Sequence, residues 1–102
     1  MIRFEILLPL YYNSGQPIEP EKFIQTDDEL VHQFGAVSTD SVTVRGLWRY
    51  QSTLYHDRLL RARVDVEDTP ENLQAIRDLK ESWKARFEQL DIWITAYRID
   101  VV

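Results

Sequence analysis

Two kinds of apolar spacing alternate along this chain, and their order leaves few ways to fold it. Residues 2–11 alternate Ile2, Phe4, Ile6 and Leu8 with Arg3, Glu5, Leu7 and Pro9, the two-residue period of a half-buried strand. From Pro20 to Phe34 the period lengthens. Phe23, Ile24, Leu30, Val31 and Phe34 fall on one helical face, with Thr26 to Glu29 pointing mostly away. Residues 41–50 return to alternation, with Val42, Val44, Gly46, Trp48 and Tyr50 on one side and Thr43, Arg45, Leu47 and Arg49 on the other. Gln51-Ser52-Thr53 reads as a hairpin connection into a third strand over 54–67. Asp68-Thr69-Pro70-Glu71 is a helix start, with Thr69 as N-cap and Pro70 at the first helical position. Leu73, Ile76, Leu79, Trp83, Phe87 and Leu90 follow at spacings of three and four, which predicts a helix of about 20 residues. A last strand spans 92–101.

The order β-α-β-β-α-β with right-handed crossovers is the ferredoxin-like arrangement, in the α+β class. It predicts a four-stranded antiparallel sheet of order 4-1-3-2 with both helices on one face. The whole chain, 1–102, is expected to form one domain, since a chain of this length can bury about two thirds of the surface its unfolded form exposes.

Composition narrows the function classes. There is no cysteine, which excludes disulfides, thiolate metal sites and cysteine nucleophiles and agrees with a reducing compartment. The N-terminus alternates charged and apolar residues without a signal-peptide pattern, and no apolar run approaches a membrane span, so a cytoplasmic protein is expected. The net charge of −5 argues against a general nucleic-acid binder. Residues 36–66, however, carry five Arg against three Asp, whereas 19–34 and 67–91 are acidic. Phosphate-cradling and nucleophile-elbow motifs are missing. The two histidines, His32 and His56, make a poor metal constellation, and Asp27, Asp28 and Glu29 fan around a helix instead of converging. No catalytic residue, metal or cofactor is implied.

Two regions are candidates for binding. The topology places the first loop (11–17), the hairpin (50–54) and the approach to the last strand (90–93) at one end. Polar-tipped aromatics gather there, and Tyr11, Tyr12, Tyr55 and Trp93 could offer ring faces and donors to a ligand. Arg49 or Arg58 could hold an anion, and His56 could add an imidazole. Its parity with Leu60, however, aims His56 at the helix side. The second region is the outer face of the sheet. Parity puts Arg3, Leu47, Leu59, Arg61, Arg63, Trp93 and Tyr97 there, a mixture of arginine with large apolar groups that belongs to an interface more than to a solvated face. An arginine of one copy meeting Glu5 or Asp65 of a second would suit a two-fold contact.

The chain also resembles a group of small bacterial proteins to which no activity is attached. The resemblance is carried by Phe4-Glu5-Ile6-Leu7-Leu8-Pro9-Leu10, Pro17-Ile18-Glu19, Phe34-Gly35, Gly46-Leu47-Trp48, Tyr55-His56-Asp57, Asp68-Thr69-Pro70-Glu71-Asn72 and Asp91-Ile92-Trp93-Ile94-Thr95. It implies a stand-alone bacterial protein and adds no functional residue. Two functions are expected from these features. One is a non-enzymatic interaction module, a homodimer through the sheet face, with a further protein partner open to it. The other is a small dimeric enzyme or small-molecule-binding protein with its pocket at the aromatic end.

Overall fold

The computed structural model describes residues 1–40 and 43–102. Its elements run β1 (Ile2–Pro9), α1 (Pro20–Phe34), β2 (Ser38–Thr39), β3 (Val44–Tyr50), β4 (Thr53–Val66), α2 (Pro70–Arg86) and β5 (Trp93–Arg98). All pairings are antiparallel, in the order β2-β4-β1-β5, with β3 also on β4. The expected α+β class and sheet therefore hold, with one difference of detail. Within the expected second strand, 41–50, the described strand is β3; a further short strand, β2, lies ahead of that span on the same edge of β4, and Ser41 and Val42 lie outside the described residues.

The even residues of β1 and β4 face the helices. Phe4, Ile6, Leu8, Ala62, Val64 and Val66 form a cluster with Leu30 of α1 and with Ile76 and Trp83 of α2, all buried. Phe87 and Ile92 close it at the end of α2 and the approach to β5. Both helices thus cover the same face, as the topology requires.

Local signals explain where the helices begin and end. α1 starts at Pro20, whose fixed φ suits a first helical position, and stops at Gly35, which takes the left-handed conformation (φ 89°). In α2 the Thr69 hydroxyl accepts the Asn72 N–H at 3.2 Å, the N-cap bond expected from the sequence. α2 ends at Arg86, earlier than its apolar spacing predicts, and Glu88 follows with a positive φ of 54°. Leu90 therefore lies off the helix and is exposed.

The α1 face also differs from the expectation. Ile24 and Val31 are exposed, and Thr26 is fully buried in their place. The reason is a polar node between the helices. Thr26 Oγ1 donates to the Lys22 carbonyl and accepts from Arg86 Nη1, each at 2.8 Å, so its hydroxyl is satisfied without water. The Arg86 guanidinium, on α2, makes a two-pronged contact with the Glu29 carboxylate, which also accepts from Trp83 Nε1 at 3.1 Å. Turning Ile24 inward would rotate Thr26 and Glu29 away from Arg86 and leave a nearly buried charge unpaired, a larger loss than one exposed isoleucine.

Two outcomes follow from this packing. Trp83 is fully buried, so Trp83→Ala should destabilise the fold by about 3–5 kcal/mol in chemical denaturation, the usual cost of truncating a large core aromatic. The hydrogen bond from Arg86 holds the Glu29 carboxyl below the usual range. A carboxylate with a depressed folded-state pKa contributes stability above its unfolded value, about 4.3, and loses it as pH falls through the folded value. Glu29→Gln should therefore lower the melting temperature near neutral pH, and the gap from wild type should narrow on acidification. A constant gap across the titration would show that the charge on Glu29 is not responsible.

Candidate functional site

β4 has 14 residues and β1 only 8. The ladder with β1 stops at Pro9 opposite Leu59, and one further bond, Leu10 N–H to the Arg58 carbonyl at 2.9 Å, closes it. Beyond that point β3 and the first half of β4 continue as a two-stranded ribbon, which projects about 20 Å past the end of β1 at the usual rise per residue. Its tip is a two-residue turn, Gln51-Ser52, with both residues at positive φ (48° and 67°), joining Tyr50 to its partner Thr53.

The ribbon separates groups that the sequence placed together. Tyr55 and Trp48 are direct cross-strand partners and stack, with ring centroids 4.6 Å apart and planes 20° off parallel. Trp48 Nε1 donates to Asp57, and Tyr50 lies 6.3 Å from Trp48. These rings stand out along the ribbon, whereas Tyr11 and Tyr12 stay with the first loop at its base. That loop is closed by Ile18 N–H to the Leu10 carbonyl and by a bridge between Tyr11 and Pro17. The aromatic end is thus two places, not one pocket.

At the base of the ribbon, Tyr12, Asn13, Ser14, Gln16, Glu19 and Glu88 surround an open depression of about 530 Å³. Tyr12 is the centre of its chemistry. Its hydroxyl is hydrogen-bonded to the Glu19 carboxylate, and Lys22 Nζ donates to the same oxygen while lying 4.8 Å from the ring centroid. Lys22 is fixed in turn by the Arg86 carbonyl at 2.8 Å. The bond to Glu19 raises the Tyr12 phenol above its ordinary value, and the same bond lowers the Glu19 carboxyl. The phenol is therefore neutral at physiological pH, with its one proton given to Glu19, and is unsuited to acting as a base. Tyr55 and His56 are not among the walls of this depression.

His56 has the helix-side parity expected of it, yet it is exposed, because the helices end short of the ribbon. It lies opposite Leu47, between the pairs Arg45–Arg58 and Arg49–Leu54. The helix-side face of the ribbon thus carries Arg45, Arg49 and Arg58 with two exposed leucines. This register corrects the placement of Leu47. Cross-strand partners share a face, so Leu47 sits with His56, and its neighbours Gly46 and Trp48 sit on the face of Leu59. Gly46 is required there: a Cβ would come within 3.1 Å of Leu59 Cδ1.

The outer face itself holds Arg3, Leu59, Arg61, Arg63, Trp93 and Tyr97, as parity placed them, together with Glu5, Leu7 and Asp65. Its charges meet within the chain. Arg3 contacts Asp65 through two bonds of 2.7 and 3.0 Å, and this holds the Asp65 carboxyl below its usual range. Tyr97 donates to Glu5 at 2.8 Å, and Asp40 takes Arg63 at 2.6 Å and Arg61 at 3.5 Å. Glu5 and Asp65 are therefore already engaged and do not stand waiting for an arginine of another copy. What is left is apolar: Trp93 is 65% exposed and Tyr97 43%, beside half-buried Leu7 and Leu59.

Lys22, Glu29 and Arg86 were not singled out by sequence reasoning. Lys22 and Glu29 meet Arg86 across more than fifty residues of chain, and no local spacing marks such a meeting. Among the described residues no group of three or more His, Asp or Glu side chains is placed to hold a metal ion, and no helix is long and apolar enough to cross a membrane.

No family model matches the chain, and no curated protein matches it by sequence. Solved structures do resemble it in shape. The divalent cation tolerance protein CutA1 of Thermus thermophilus superposes over 100% of this chain and 87% of its own, with a TM-score of 0.65 and 20% identity. The periplasmic divalent cation tolerance protein CutA of Archaeoglobus fulgidus gives 0.64 at 12% identity, over 100% and 87%. A phage SAM lyase in complex with S-methyl-5'-thioadenosine gives 0.70 at 12% identity, over 94% and 79%. At these identities the likeness is one of fold.

Proposed function

We propose that this chain is a non-enzymatic interaction module that self-associates through the outer face of its sheet, the homodimer being the smallest assembly. The observation that carries the reading is the uncovered apolar strip of Trp93, Tyr97, Leu7 and Leu59, on a face whose charged neighbours are already paired within the chain. A monomer would leave that strip in water, and a second copy is the partner guaranteed to be present. The absence of cysteine across 102 residues supports a cytoplasmic setting, and the resemblance noted above supports a bacterial one.

A second reading has its own support. The depression beside Tyr12 offers the Glu19 and Glu88 carboxylates with the polar groups of Asn13, Ser14 and Gln16, which suits a small polar molecule or ion. The fold neighbours include divalent cation tolerance proteins and a lyase seen with S-methyl-5'-thioadenosine, so small ligands of either kind are natural probes.

Light scattering at micromolar concentration should give a mass at least twice 12.1 kDa. Trp93→Glu should shift the protein toward the monomer while leaving its circular dichroism intact, since Trp93 is exposed and contributes little to the core. A monomer in the wild type would end the reading. For the second reading, chemical-shift mapping with divalent cations and S-methyl-5'-thioadenosine should perturb Tyr12, Ser14 and Glu88. Shifts confined to α2 and the C-terminus would oppose it.

A further inference from the structure

Among the described residues several stretches of sheet edge are open, the far side of β3 among them, and on β5 and on the ribbon half of β4 the outward backbone groups can be named. Met1 and Ile99 exchange both hydrogen bonds, Ile99 N–H to Met1 O at 3.0 Å and the N-terminus to Ile99 O at 3.3 Å. Bonded pairs alternate along an antiparallel ladder, so the odd residues of β5 bond to β1 and Ile94, Ala96 and Arg98 turn their N–H and C=O groups outward. The same argument applies to β4. Asp40 N–H bonds to Arg61 O, so the odd residues of β4 bond toward β2 and β3. The even ones bond toward β1, as Arg58 does through Leu10. Along the ribbon, past the end of β1, Leu54 and His56 therefore present their backbone groups to an empty side.

A two-stranded ribbon standing alone in water is marginal, and a flat unpaired edge invites another strand. We propose that the ribbon edge of one copy, at Leu54 and His56, adds to the β5 edge of a second copy, at Ile94, Ala96 and Arg98. The two edges present their groups at the same two-residue spacing, and the two on the ribbon fit within the three on β5. They also match in side chains. A shared sheet would place Tyr55, stacked on Trp48, on the same face as the second copy's exposed Trp93 and Tyr97 positions, giving aromatic cross-strand neighbours. Charge favours the same approach. The ribbon carries Arg45, Arg49 and Arg58 against Asp57 alone, on a chain whose total is −5, so the ribbon of one copy is drawn to the acidic body of another. Every copy both gives a ribbon and receives one. The contact closes as a reciprocal pair or as a ring, according to the turn between successive edges. This inference rests on the proposed self-association and adds to the face contact an edge contact on which the assembly depends.

Proline tests it without touching the monomer's own ladder, because it removes only an outward N–H at either site. Ala96→Pro spoils the β5 edge, and His56→Pro spoils the ribbon edge. Each variant alone should run at 12.1 kDa with wild-type circular dichroism. Mixed, they should recombine to twice that mass, since one still has a sound ribbon and the other a sound β5. Wild-type assembly that survives both substitutions, or variants that fail to recombine, would overturn the inference and leave self-association through the sheet face standing. A monomeric wild type would remove both. If either variant fails to fold, hydrogen exchange on the assembled wild type decides. The amides of Leu54, His56, Ala96 and Arg98 should be protected in the assembly and lose protection on dilution to monomer; rapid exchange throughout would overturn the inference.

Discussion

The mismatch in length between β4 and β1 shapes everything outside the core of this protein. Fourteen residues of β4 run beside eight of β1, and the ladder between them stops at Pro9 opposite Leu59, with Leu10 N–H to the Arg58 carbonyl as its last bond. The helix-covered half of β4 is core, with Ala62, Val64 and Val66 buried. The other half has no β1 on one side and no helix above it. His56, Leu47 and Leu54 are exposed for that reason, although their parity continues the core face.

The helices are held at their station by a polar contact as much as by packing. Arg86, at the end of α2, ties Glu29 and Thr26 of α1 through its guanidinium and Lys22 through its carbonyl. Lys22 then carries the order outward to Tyr12, and Tyr12 to Glu19, so the first loop is anchored to the core by an unbroken run of hydrogen bonds. The depression beside Tyr12 is consequently built on a rigid base, while the ribbon is built on its own two strands alone. These are different platforms: one suits a small ligand, the other a large partner.

Legibility in the sequence followed the range of the interaction. The caps at Gly35 and Thr69, the hairpin at Gln51-Ser52 and the alternation of β1 and β4 are local, and each was readable from adjacent residues. The α1 face was misread at Ile24 and Val31 because hydrophobicity is a proxy for burial. Thr26 is buried through bonds to Arg86, sixty residues away, which no window along the chain contains. Leu47 was placed on the outer face because strand register was inferred from parity alone. A two-residue turn fixes Tyr50 opposite Thr53, and that pairing puts every odd residue of β3 on the face of the even residues of β4.

The sequence by itself determined the class, the element order and which side of β1 and β4 faces the helices, because these depend on periodicity and on turn chemistry, both carried by neighbouring residues. It also set the crowding of arginine into 36–66 and the lack of any thiol. Only the tertiary structure decided that the aromatic residues divide between a loop and a projecting ribbon, that the outer-face charges find partners within the chain, and that β5 and the ribbon half of β4 keep an open edge. Those outcomes depend on where one strand stops relative to another in space, a relation between distant segments that local spacing does not encode.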